Sequence, residues 1–253
     1  MAEGMPDSAR KFNSSRAEEY GQQSRIALAG YDACHELSAC MLAAALGPQK
    51  AAKVLVVGAG GPAQEITIGG NLELNWRFTA VDPSEPMLAI ATARIAEAGM
   101  AERTEIVLGR VHDLPNEPLF DAATLIGVLH HLPGDEAKHD ILHAIASRLR
   151  PGAPLILAGN HYSYVREPLM LEAWGQRWRM QGATQDEVKA KLGKILQGAD
   201  PPHSEAAVYA LLADSGFEAP KRFFASLFWG AWITFRVAQA AEVHAANVRN
   251  RQR

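Results

Sequence analysis

Gly58-Ala59-Gly60-Gly61 follows directly on the apolar run Val54-Leu55-Val56-Val57. Glycines in such a turn allow a tight backbone path and let the main chain approach a ligand that side chains would block. Asp82 stands 24 residues after Gly58, at the end of the next apolar run. A carboxylate there is placed to accept hydrogen bonds from ribose hydroxyls. The chemistry implied is the holding of an adenosyl ligand. The third glycine of the dinucleotide pattern falls on Ala63, which that pattern tolerates, so the turn alone does not exclude NAD. A bare βα turn is the plainer alternative, and Asp82 speaks against it.

Proton-moving groups gather further along. His131, His161 and Tyr162 each follow an apolar run expected to be a strand, and open α/β sheets bind ligands beyond the carboxyl ends of their strands. Each could take a proton from an acceptor OH or NH, or merely cap its loop. The sequence holds nine histidines but no HExxH pattern, and His139 and His143 have no third ligand beside them, so no metal is expected. Cys34 and Cys40 match neither CxxC nor a disulfide framework and read as small buried residues on a helix.

The elements that would carry these groups alternate. Short apolar runs at Lys53–Val57, Arg77–Val81, Glu105–Leu108, Ala122–Ile126 and Pro154–Ala158 read as strands, with helices at Pro86–Ala98 and Glu136–Leu149 between them. That alternation predicts right-handed crossovers and a parallel sheet covered on both faces. Ser24–Leu46 reads as one helix stopped by Gly47-Pro48. After strand five, Tyr164–Gln197 reads as a helical, Trp- and Met-rich lid, and Ser204–Ser215 as a further helix. Arg222–Phe228 and Trp232–Val237 read as a hairpin about a Trp229-Gly230-Ala231 corner. The expected division is a helical cap over 1–50, a Rossmann-like domain over 51–240 with a lid near 164–200, and a tail over 241–253.

Three further segments narrow the ligand: Leu108-Gly109-Arg110-Val111-His112-Asp113-Leu114-Pro115, Gly127-Val128-Leu129-His130-His131-Leu132 and Leu149-Arg150-Pro151-Gly152. In order and spacing, Val54 to Ala158 closely resembles the Rossmann-like (class I) S-adenosylmethionine (SAM)-dependent methyltransferases. The resemblance implies an α/β three-layer sandwich, its mostly parallel seven-stranded sheet closed by a final antiparallel strand. It implies that Gly58, Ala59 and Gly60 cradle the methionine part of SAM, that Asp82 binds the ribose, and that Pro83 and Met87 line the adenine side. Arg110 and Val111 would sit at the adenine edge and Gly127 beneath the sulfonium. Arg110 departs from the acidic residue often found there, which shifts adenine recognition toward Asp113 or backbone groups.

The flanks, Ala29-Gly30-Tyr31-Asp32 and Trp178-Arg179-Met180-Gln181-Gly182, are similar to carboxy-SAM synthases. That likeness implies cofactor contacts from Tyr31 and Arg179. Two activities follow. One is methyl transfer to a small-molecule acceptor, with His131, Tyr162 and Arg179 as the catalytic candidates. The alternative is other SAM chemistry on the same fold: carboxy-SAM formation, or cyclisation to azetidine-2-carboxylate with release of methylthioadenosine. A non-catalytic SAM-binding module is a third reading, which the Gly58/Asp82 pair argues against.

Bulk properties fit this. Lys plus Arg total 25 against 28 for Asp plus Glu, a formal net charge of −3, which argues against a nucleic-acid binder. Hydrophobic residues make up 48% of the 253, ordinary for a globular chain. No apolar run approaches the roughly 20 residues of a membrane span, and Met1–Asp7 lacks the form of a signal peptide. The expectation is therefore a cytoplasmic enzyme with a small-molecule substrate. Its oligomeric state stays open, a homodimer included.

Overall fold

The computed structural model describes residue 21 and residues 23–238. Residues 1–20 of the expected cap and the expected tail 241–253 lie outside the described residues. The first half of the chain runs α1 (Tyr31–Leu46), β1 (Ala52–Val57), α2 (Gln64–Leu72), β2 (Trp76–Asp82), α3 (Glu85–Glu97), β3 (Thr104–Leu108) and β4 (Ala122–Ile126). It continues through α4 (Gly134–Ala146), β5 (Pro154–Asn160), α5 (Pro168–Met180), α6 (Gln185–Gly198), α7 (Glu205–Asp214), β6 (Lys221–Ser226) and β7 (Trp229–Phe235).

The strands form one seven-stranded sheet in the order β3-β2-β1-β4-β5-β7-β6. All neighbours from β3 to β5 pair in parallel, whereas β7 runs antiparallel to both β5 and β6. The two-residue alternation of β1 divides the core. Val54 and Val56 join Ile66, Phe78 and Ile95 on one face, and Leu55 and Val57 join Leu125, Leu142 and Leu211 on the other. Apolar residues on successive positions thus face opposite layers, the signature of a sheet covered on both sides. This is the Rossmann-like sandwich the sequence implied. Among the described residues no helix is long and apolar enough to cross a membrane.

Three boundaries differ from the sequence expectation. The N-terminal helix is broken: residues 23–27 are helical, Gly30 adopts φ 81°, and α1 begins only at Tyr31, with Cys34 buried as expected but Cys40 exposed on its outer face. The lid is two helices, because Gly182 takes φ 90° and Thr184 starts α6 with a reciprocal capping box to Glu187. The hairpin turns at Leu227-Phe228, not at Trp229-Gly230-Ala231. Phe228 is fully buried against Tyr164 and Trp174 of the lid cluster, so packing sets the turn two residues earlier and leaves Trp229 inside β7.

Candidate functional site

The glycine turn is held by β2. The N–H groups of Gly58 and Ala59 both donate to the Val81 carbonyl, at 2.9 and 3.2 Å, and Gly61 N–H donates to Met87 O at 2.9 Å. The Asp82 carboxylate closes the arrangement, accepting from Gly60 N–H at 3.0 Å and from Ser84 N–H at 2.8 Å. Glycine is required twice here. A Cβ on Gly58 (φ 74°) would come within 2.2 Å of Val128, and one on Gly60 within 2.5 Å of Met87 and 2.8 Å of Asp82. Burial raises the Asp82 pKa above its ordinary 3.8, with the Ser84 and Gly60 N–H groups pulling the other way.

A cavity of about 520 Å³ opens from this turn. Since neighbours of β1 on one side are β4, then β5, then β7, the cavity crosses the sheet from Gly58 and Gly60 over Ile126 and Gly127 to Asn160 and Trp229. Gly127 takes φ 77° and donates its N–H to Ala158 O at 2.8 Å, fixing the loop after β4. The next residues form one 3-10 turn, Leu129–His131, whose two histidine rings lie 4.2 Å apart, and both line the cavity.

The lid closes the cavity against the N-terminal segment. Trp174 Nε1 donates to Ala27 O at 2.6 Å, Arg177 Nε to Ile26 O at 3.3 Å, and Trp178 Nε1 and Lys191 Nζ both to Gln23 Oε1 at 3.3 and 3.0 Å. Ile26, Tyr164, Trp174, Trp178, Val188 and Phe228 form a small apolar cluster of their own beneath it. Its far end is tied down by Asp200, whose N–H donates to His130 O at 2.8 Å and whose carboxylate meets Lys138 Nζ at 3.0 Å.

Of the residues singled out from the sequence, Tyr31, Gly58, Gly60, Gly127 and His131 come together on the cavity wall. Ala59 is buried. Met87 and Val111 are buried beside Asp82 and the end of β3, while Pro83 and Arg110 are exposed at that edge. Asp113 is engaged locally, its carboxylate accepting Arg110 N–H at 2.7 Å. Tyr162 stacks on His161, with ring centroids 4.0 Å apart, and is not among the lining residues. His161 is itself buried, with Nδ1 against Phe228 O at 3.0 Å and its pKa lowered by burial. Arg179 is exposed and donates to Gln176 on its own helix at 3.0 Å, away from the cavity.

Other wall residues went unmarked in the sequence: His35 with Glu65 (3.9 Å), Asn160, Tyr164, Lys191, Lys194 and Trp229. Strand five was read as ending at Ala158, two residues before Asn160. Trp229 was placed in a corner and not in a strand. Trp174 and Trp178, whose i, i+4 spacing places them on one helix face of the expected lid, both line the cavity.

Comparison with known proteins agrees with this architecture. Residues 54–152 match a family described as a methyltransferase domain. An uncharacterised Synechococcus protein is 40% identical over 81 residues, which is 31% of this chain and 18% of that protein. A ubiquinone biosynthesis O-methyltransferase from Azoarcus is 26% identical over 106 residues, 42% of this chain and 43% of that enzyme. The chain thus spans less than half the length of these curated relatives. Among solved structures, an O-methyltransferase family 2 protein from Planctomyces limnophilus, complexed with apigenin, superposes with a TM-score of 0.65. It shares 16% identity, and the match covers 93% of this chain and 63% of that one. Residues 54–152 thus resemble a methyltransferase domain, and the fold is the Rossmann-like one of the class I methyltransferases.

Proposed function

We propose that this chain is a SAM-dependent methyltransferase acting on a small-molecule acceptor. The observation that carries the reading is the Gly58–Gly60–Asp82 cradle, where backbone and carboxylate meet at a place any Cβ would fill, opening into the cavity. The residues present fit the cofactor. Gly58, Ala59 and Gly60 would hold its methionine part, with Tyr31 closing from α1. Asp82 has carboxylate lone pairs beyond those accepting Gly60 and Ser84 N–H, and these would take the ribose hydroxyls. Pro83, Met87, Arg110 and Val111 would border the adenine, and Gly127 would lie beneath the sulfonium.

Bound SAM supplies an electrophilic methyl whose transfer to an acceptor oxygen or nitrogen leaves S-adenosylhomocysteine. The chain's own part is to position the acceptor, exclude water and remove a proton. Among the three catalytic candidates, His131 faces the cavity and is our choice of base. Tyr162 is better read as packing on His161. Carboxy-SAM chemistry called for a guanidinium at the cofactor, and Arg179 lies outside the cavity, so methyl transfer is the better-supported activity.

The test is to incubate the purified chain with SAM, with and without cell extract, and to identify the products by mass. Adenosylhomocysteine is expected only with extract. Methylthioadenosine formed from SAM alone would contradict methyl transfer and favour cyclisation.

A further inference from the structure

The cavity end farthest from the glycine turn carries polar atoms that the fold leaves unsatisfied. Asn160 closes β5, Trp229 opens β7, and the antiparallel register pairs them directly, so both side chains stand on the same face of the sheet with Cβ atoms about 5 Å apart. Asn160 is only 5% exposed. Its Nδ2 donates to the Tyr164 hydroxyl at 2.7 Å, which orients the amide and leaves Oδ1 as a buried acceptor with no partner among the described residues. Trp229 Nε1, on the strand partner, is a buried donor, also without one among the described residues. Both residues line the cavity. A buried acceptor and a buried donor on directly paired residues are both satisfied by one hydroxyl group that donates to the first and accepts from the second.

The rest of that end narrows the molecule bearing the hydroxyl. Its walls carry the aromatic side chains of Tyr164, Trp174 and Trp178 beside the aliphatic Ile195, surfaces that suit a flat ring. Above them Lys191 and Lys194, one helical turn apart on α6, both reach the cavity. Lys191 uses one donor on Gln23, and an ammonium has three. The carboxylate in the lining, Glu65, lies on the glycine-turn side next to His35, so the lid side is a cationic rim above an aromatic slot. The cavity is shared with the cofactor, which leaves space for a small acceptor.

We propose that the acceptor is a small hydroxylated aromatic acid. One hydroxyl, a handle distinct from the methyl-accepting group that His131 serves, is held between Asn160 Oδ1 and the Trp229 indole N–H, and the acid's carboxylate is drawn to Lys191 and Lys194. This rests on the reading of the cavity as a methyltransferase site, and supplies the substrate class that reading leaves open.

The experiment is calorimetric titration of the full chain with the three isomeric hydroxybenzoates and with benzoate, phenol and 4-hydroxybenzamide, in the presence and absence of S-adenosylhomocysteine. At least one hydroxybenzoate is expected to bind at least about tenfold tighter than benzoate, phenol and the amide. Asn160→Leu should erase the preference over benzoate while keeping that over the amide. The Lys191→Gln/Lys194→Gln double variant should do the reverse. Folding is checked by circular dichroism, and Trp229→Phe, which removes only the N–H from an aromatic wall, carries the same expectation if Asn160→Leu does not fold. The proposal is overturned if no hydroxybenzoate binds at millimolar concentration, if benzoate or the amide binds as well, or if the variants leave the ratios unchanged. Failure of S-adenosylhomocysteine to bind, with the hydroxybenzoate preference intact on the free protein, would count against the cofactor reading alone.

Discussion

Gly60 and Asp82 act as one unit: the backbone N–H of the first is bound by the carboxylate of the second, and a methyl group on Gly60 would strike both Met87 and Asp82. Gly60→Ala should therefore cost about 1–3 kcal/mol of stability and weaken SAM binding about tenfold or more. Thermal melting and calorimetry check the two effects, and an unchanged affinity would place the cofactor elsewhere. The pH dependence follows from burial, which raises the Asp82 pKa against the pull of the Ser84 and Gly60 N–H groups. Because the folded value is raised, its contribution to stability is present below the unfolded value and lost as pH rises through the folded one. Once ionised, the free chain bears the cost of a half-buried carboxylate. The ionised form is the acceptor for ribose hydroxyls, so SAM affinity should fall on acidification, beginning at higher pH than an ordinary aspartate would give. Titrations from neutral pH downward measure this, and an affinity flat across that range would contradict it. Both residues were legible in the sequence because their chemistry is local, a turn and a strand end. Arg179 lies off the cavity for a geometric reason. Trp174 and Trp178 face inward, and the next residue on a helix is rotated by about 100°, which carries Arg179 outward.

At the scale of elements, the lid is fastened at two points, the tryptophan contacts to residues 23–27 and the Asp200–Lys138 pair. Lys138 is only 1% exposed, and its ammonium is shared between Asp200 and the Gly134 carbonyl. Asp200 also accepts from Gly134 N–H at 2.7 Å. Asp200→Ala would strand the buried Lys138 ammonium and unpair Gly134 N–H, leaving only the backbone bond from residue 200 to His130 O. The expected cost is about 2 kcal/mol, read as a lowered melting temperature, and a variant as stable as the parent would refute the anchoring role. The division of the lid into α5 and α6 was also visible in the sequence. Thr184-Gln185-Asp186-Glu187 is a capping box and Gly182 precedes it, but the Trp- and Met-rich composition on either side masked the break. The hairpin turn at Leu227-Phe228 was not visible, because it carries no glycine and is fixed by Phe228 burying itself under Trp174.

Over the whole molecule, strand count and alternation could be read from apolar runs, since each follows from which faces are buried, whereas the antiparallel last strand came from the family resemblance. What sequence spacing does not show is the sheet order, and the order makes the site. Placing β4 and β5 between β1 and β7 joins the glycine turn to Asn160 and Trp229 in one cavity, although Gly58 and Trp229 lie far apart along the chain. The account stands on the claim that this cavity holds SAM at the Asp82 end. The most direct test is calorimetric titration of SAM into the parent chain and into Asp82→Ala. The account predicts one-to-one binding by the parent and a loss of affinity of at least about tenfold in the variant. Equal binding by the two proteins, or none by the parent, would contradict it.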